Sequence, residues 1–169
     1  SGKVHASDKS FNNHWGVPLT LARMPEDCDF AIFEIGMNHP DEIRPLVKMV
    51  RPHVAVVTLI APAHLGYFKN LDEIAAAKAE IFEGIEPGGT ALINRDDERW
   101  PILQKLAKAA GVKAIAGFGE HAKATYRLTS CELLADRSEI LARIGGKDVA
   151  ATVGAPGRHM VQNALAVLG

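Results

Sequence analysis

The chain has 169 residues, of which 47% are apolar and 23% charged, a balance that suits one globular core and excludes disordered, collagen-like and disulfide-scaffold classes. Lys and Arg total 19 and Asp and Glu total 20, so the net charge is −1 and there is no basic excess for nucleic acid or an anionic membrane surface. No apolar run reaches the ~18 residues that span a bilayer, the polar start SGKVHASDKS has no signal-peptide core, and Cys28 and Cys131 show no metal or redox spacing; the expectation is a cytosolic protein with two reduced thiols.

In chain order, residues 12–23 read as a short helix and residues 30–35 (FAIFEI) as a short buried strand. Residues 40–50 form an amphipathic helix with Ile43, Leu46, Val47 and Val50 on one face, provided that Pro45 falls in its first turn. Residues 54–60 (VAVVTLI) give the strongest strand, rich in β-branched side chains. A helix follows over 71–85, with Asn70 as its cap ahead of Asp72 and Glu73. Residues 90–94 make a strand, 97–110 a helix stopped by Gly111, and 112–116 another strand. The alternation implies a parallel sheet covered on both faces. After Gly119 the pattern changes to short strands at 125–134, 139–144 and 149–153, joined by turn residues, which read as a small antiparallel meander. A last helix runs over 158–168, opened by Gly154-Ala155-Pro156-Gly157.

Ligands of an open parallel sheet bind at the carboxyl ends of its strands. Three successive strands lead into polar groups there: Glu34, Asn38 and His39; then His64; then Asn94, Asp96 and Asp97. A carboxylate and an imidazole at adjacent strand ends can share a divalent cation, and oxygen donors suit Mg²⁺; singly, Glu34 could equally cap a turn and His64 be a loop histidine. Lys78 follows three alanines and borders the packed stripe Ile74, Ala77, Ile81, while the positions three and four away are Ile74, Ala75, Ile81 and Phe82, none of them acidic. A lysine screened from water has a lowered pKa, becomes a nucleophilic amine, and can take up CO₂ as a carbamate. Gly157 opens the last helix, whose N-terminus suits an anion or nucleotide edge, and Asn163 offers the donor and acceptor that an adenine edge needs. No Gly-x-x-x-x-Gly-Lys-Ser/Thr phosphate loop occurs: Ser1-Gly2-Lys3 is followed by Val4.

Six ordered segments resemble the central domain of the Mur ligase family: Asn12-Asn13-x-x-Gly16-Val17-Pro18, Glu34-x-Gly36-x-Asn38-His39-Pro40-x-Glu42-Ile43, Ala61-Pro62-Ala63-His64-Leu65, Ala77-Lys78-x-Glu80-Ile81-Phe82, Asn94-x-Asp96-Asp97 and Gly157-Arg158-His159-x-x-x-Asn163. The resemblance runs from about residue 9 to the end and points to the branch that adds D-Ala-D-Ala to UDP-N-acetylmuramoyl-tripeptide. It implies a three-layer α/β fold with a mainly parallel sheet and a small antiparallel sheet, lacking the family's first strand and phosphate loop. It implies that residues 1–169 are part of the ATP-binding domain, without the UDP-binding and C-terminal domains, and that this piece alone is inactive. The implied cofactors are ATP and Mg²⁺. By resemblance Glu34 and His64 are metal ligands, and Lys78 matches the lysine that the family carries as a carbamate and that helps hold a second Mg²⁺. His159 and Asn163 match the nucleotide-contacting motif, and Asn94 and Asp97 would lie nearer the adenine. Asn12, Asn13, Asn38 and His39 would lie by the phosphates or the acceptor substrate. Met160, Leu59 and Gly66 depart from the family pattern, where Asn, Asn and an acid are common. A sibling ligase, such as another Mur ligase or a folylpolyglutamate synthase, and a non-catalytic binding module remain as alternatives.

Overall fold

The computed structural model describes residues 2–62 and 66–169. Among the described residues eight strands form two sheets, accompanied by five α-helices. The smaller pairs β1 (Val4–Ala6) in parallel with β2 (Phe30–Ile32). The larger has the order β3-β4-β5-β6-β7-β8. Its parallel part joins β3 (Val54–Val57), β4 (Thr90–Asn94), β5 (Ala114–Gly119) and β6 (Tyr126–Leu133), and β6 then turns antiparallel to β7 (Ser138–Ile144) and β7 to β8 (Lys147–Val153).

The helices are α1 (Gly16–Ala22), α2 (Ile43–Val50), α3 (Leu71–Ala79), α4 (Trp100–Ala109) and α5 (Arg158–Leu168). Strand alternation sends the side chains of β4 to two cores. Ala91 and Ile93 of β4 join Ile43, Val47, Val57, Ile74, Phe82 and Leu103 under α2, α3 and α4, whereas Leu92 joins Phe118, Leu128, Ile140, Val161 and Leu165 under α5. Helices therefore cover both faces, giving the three layers. Asn70 caps α3 by accepting the Glu73 amide at 2.9 Å, and the Glu73 carboxylate accepts the Lys69 amide at 2.9 Å. Pro45 is the third residue of α2, where its missing N–H breaks no bond.

Beyond shifts of element ends, such as β3 stopping at Val57 and β5 running on to Gly119, the structure departs from the sequence expectations at four places. Residues 4–6 form a strand that the polar start conceals. Strand β2 is exposed rather than buried, with Phe30 and Ile32 at 58% and 62% of full exposure; β1 is its pairing partner, and neither residue joins the two cores. The helix expected over 71–85 is α-helical to Ala79 and then tightens into a 3-10 turn, Glu80–Gly84. The antiparallel meander does not stand apart: its first strand extends the parallel sheet through Phe118–Tyr126 and Gly119–Arg127, and the separate sheet is the parallel pair β1–β2.

Candidate functional site

Glu34 lies just after β2, and its surroundings are set by the segment before α1. The Asn12 side-chain amide donates to Glu34 Oε1 at 2.7 Å, the Glu34 amide donates to Ser7 Oγ at 3.2 Å, and the Gly36 amide donates to the Asn12 carbonyl at 2.8 Å. Gly36 is needed here, since a Cβ would come within 2.9 Å of the Asn12 side chain. Asn13 turns the other way: its Oδ1 accepts the amides of Trp15 at 3.0 Å and Gly16 at 2.9 Å and so opens α1.

Lys78 is half-buried near the end of α3. Burial lowers its pKa below the ordinary lysine value, and the charge of Glu34 opposes that shift. The two groups are thus coupled across different elements, and the amine is partly desolvated, as its alanine-flanked position suggests. His64, the third member of the expected metal set, lies outside the described residues. Among the described residues no group of three His, Cys, Asp or Glu gathers that could hold a metal ion.

The loop after Glu34 carries Asn38 and His39. The Glu42 carboxylate accepts the amides of Asn38 at 2.7 Å and His39 at 3.2 Å, and these bonds, the Asn38 one foremost, hold its pKa below the usual carboxylate range. The His39 ring stands edge-on to Tyr67, with 4.2 Å between centroids. This joins the Asn38–His39 loop to the loop between β3 and α3.

Asn94 and Asp97 spend their polar atoms inside the fold. Asn94, only 3% exposed, donates from Nδ2 to the Thr58 carbonyl at 2.9 Å and accepts the Asp96 amide at 2.9 Å. Asp97 accepts the Ile60 amide at 2.8 Å and the Arg99 amide at 2.8 Å. Together they pin residues 58–60, the lead-in from β3 to His64. Asp96 accepts the amides of Glu120 and His121, both at 2.8 Å, and so shapes the turn after β5. His159 and Asn163 are exposed on α5, which packs on the opposite sheet face from α3. The structure therefore brings Asn12, Glu34 and Lys78 into one neighbourhood, sets Asn38 and His39 on an adjoining loop, and leaves His159 and Asn163 on another layer. A surface hollow of about 480 Å³ between α2, α3 and α4, lined by Pro40, Arg44, Glu80 and Leu106 among others, includes neither Glu34 nor Lys78. No role follows from sequence for Glu42, Glu80 and Tyr67; the signal for the two acids was their place inside the Glu34 and Lys78 segments.

Fold and site define a three-layer α/β domain with polar side chains gathered where the strands end. The profile of the Mur ligase middle domain matches residues 1–169, and the chain belongs to that family. The UDP-N-acetylmuramoyl-tripeptide–D-alanyl-D-alanine ligase of Rickettsia prowazekii is 35% identical over 165 residues, covering 98% of this chain and 37% of the relative. Its Escherichia coli counterpart is 34% identical over 158 residues, covering 93% and 34%. A crystal structure of MurF from Acinetobacter baumannii superposes with a TM-score of 0.92 at 32% identity, over 99% of this chain and 36% of that one. The chain thus spans about a third of the length of these relatives. Among the described residues no helix is long and apolar enough to cross a membrane.

Proposed function

We propose that the intact protein is a cytoplasmic, ATP-dependent ligase that joins D-Ala-D-Ala to UDP-N-acetylmuramoyl-tripeptide in peptidoglycan synthesis, and that residues 1–169 supply part of its ATP-binding domain. The observation that carries this is a half-buried Lys78, its pKa lowered by burial, that feels the charge of Glu34 just after a strand end, in a chain that matches the Mur ligase middle domain throughout. The exposed apolar side chains of Phe30 and Ile32 on β2 and Val54 and Val56 on β3 support further segments packing there in the intact protein.

In the proposed reaction the tripeptide carboxylate attacks the γ-phosphorus of ATP, giving an acyl phosphate and ADP. The dipeptide amine then attacks the acyl carbon, and the tetrahedral adduct expels phosphate to leave an amide. Such chemistry depends on positioning and charge neutralisation more than on covalent help.

The donor chemistry fits Mg²⁺. One Glu34 oxygen is taken by Asn12 and the other can face a cation. A protonated Lys78 would repel the ion; its carbamate would place a carboxylate there instead, reached when the ammonium gives one proton to solvent, the neutral nitrogen attacks the CO₂ carbon, and a second N–H proton leaves to solvent as the N–C bond forms. Glu34 and His64 would hold Mg²⁺ and carbamoylated Lys78 would help hold a second Mg²⁺ beside it, charges that neutralise phosphate oxygens when bound. Asn12 orients Glu34. Asn13 fixes the start of α1 beside it, Asn38 and His39 flank the phosphates or the amine substrate, and His159 and Asn163 contact the nucleotide. Asn94 and Asp97 serve the nucleotide side by holding residues 58–60.

The test is to incubate the full-length protein with ATP, Mg²⁺ and UDP-N-acetylmuramoyl-tripeptide and to weigh the product formed with D-Ala-D-Ala, single amino acids or a folate acceptor with glutamate. The proposal predicts a product with D-Ala-D-Ala; ligation of another amine points to a sibling ligase, and no ATP-dependent product points to a binding module.

A further inference from the structure

Among the described residues Glu80 is the one buried acid, at 5% exposure. A carboxylate withdrawn from water needs compensating donors. Here they are not a cation but two backbone amides from another element: Oε1 accepts from Asp41 at 2.7 Å and Oε2 from Arg44 at 3.1 Å. The Arg44 guanidinium turns instead to Glu83, at 2.6 and 2.9 Å, and to Asp41. Both Glu80 oxygens thus face the entry of α2, on residues 36 and 39 positions earlier in the chain.

The segment so gripped is the Asn38–Asp41 loop. Glu42 takes the amides of Asn38 and His39, Pro40 has none, and Glu80 takes that of Asp41. Every N–H of the loop therefore ends on a carboxylate. Asp41 has φ of +68°, a left-handed conformation that aspartate tolerates better than most residues, and its amide is held there by Glu80. Glu80 also follows Lys78 by two residues, at the junction of α3 with the 3-10 turn.

We propose that Glu80 is a positioning residue: through the amides of Asp41 and Arg44 it locks the Asn38–His39 loop to the helix that carries Lys78, so that the two move as one unit. The inference rests on the site reading given above and adds a residue that touches neither substrate nor metal. A carboxylate is required because both positions face donors; a glutamine would turn an N–H₂ group toward one of them.

The experiment compares Glu80→Gln with Glu83→Gln in the full-length protein. The second variant removes an acid of the same turn that pairs with the Arg44 side chain and not with the loop. Three quantities are read: kcat and KM for ligation, the melting temperature, and hydrogen exchange of amides 38–44. Glu80→Gln is expected to lower kcat/KM about tenfold or more, since small misplacements are costly in a preorganised site, and to speed exchange across 38–44, while Glu83→Gln leaves both near the wild type. Wild-type kcat/KM in Glu80→Gln overturns the proposal, as does a loss in both variants that simply follows their melting temperatures. If Glu80→Gln fails to fold, Glu80→Asp, one methylene too short to reach both amides, gives the same comparison. If the wild-type protein ligates nothing, the ligase reading fails, and the exchange rates of the two variants alone decide whether the clamp exists.

Discussion

Replacing Asn94 by alanine removes both ends of a buried strut. The lost bonds run to the Thr58 carbonyl and from the Asp96 amide, each at 2.9 Å, and Asn94 is buried, so water cannot replace them freely. At about 1 kcal/mol for each bond, with a further penalty for any group left unpaired, the expected loss is about 2–3 kcal/mol. For a domain of this size that lowers the melting temperature by roughly 5–10 °C. Asp97→Ala removes the second strut, which holds the Ile60 and Arg99 amides, at about 2 kcal/mol. Because both struts hold residues 58–60, freeing that segment once leaves less for the second change to disrupt. The double variant should therefore lose less than the sum of the singles, by about 0.5–1 kcal/mol. Urea unfolding of the four proteins measures the cycle, and amide exchange at Ile60 reports the segment directly. A loss under about 0.5 kcal/mol for Asn94→Ala, or strict additivity, would refute the account of these residues as shared struts.

Other consequences follow from the same contacts. With ¹³C-bicarbonate, the full-length protein should show a protein-bound carbamate carbonyl in its ¹³C spectrum that grows with pH, because only the neutral amine attacks CO₂ and burial lowers the Lys78 pKa; its absence from wild type, or persistence in Lys78→Arg, contradicts the assignment. Below that lowered pKa a desolvated ammonium opposes folding, so Lys78→Met should keep or raise the melting temperature while ligation is lost. The Glu42 carboxyl titrates below its ordinary value of 4.5, so its hold on the Asn38 and His39 amides is complete above that pH and is lost as pH falls through the lowered folded value; amide chemical shifts of Asn38 and His39 should move together in that acid range. Gly36→Ala drives a Cβ toward the Asn12 amide and should uncouple Asn12 from Glu34, read as a loss of kcat/KM with the fold retained.

Much of the fold is visible in the residues themselves. Strand β4 matches the expected range 90–94 because a β-branched, apolar run is bounded by Gly88-Gly89 and by Asn94. The α3 cap is readable from Asn70 and the acids after it. What sequence could not supply is the tertiary setting. Phe30 and Ile32 look like a buried strand, yet burial depends on what packs over them, which no local pattern encodes. Where the 3-10 turn begins, the Glu80 side chain meets an element nearly forty residues away. The site shows the same division. Glu34 and Lys78 carry their chemistry in their residue types and spacing. Asn94 and Asp97 look like binding groups until their backbone partners are known, and Glu80 looks like a solvated acid until it is found buried.

The most direct test of the central claim is anomalous diffraction from crystals of the full-length protein grown with Mn²⁺ and a non-hydrolysable ATP analogue, Mn²⁺ standing in for Mg²⁺. The account predicts an anomalous peak in coordination contact with Glu34, with His64 and a carbamoylated Lys78 in the same cluster beside the γ-phosphate. Manganese bound elsewhere, with Glu34 and an unmodified Lys78 both free of metal, would contradict it.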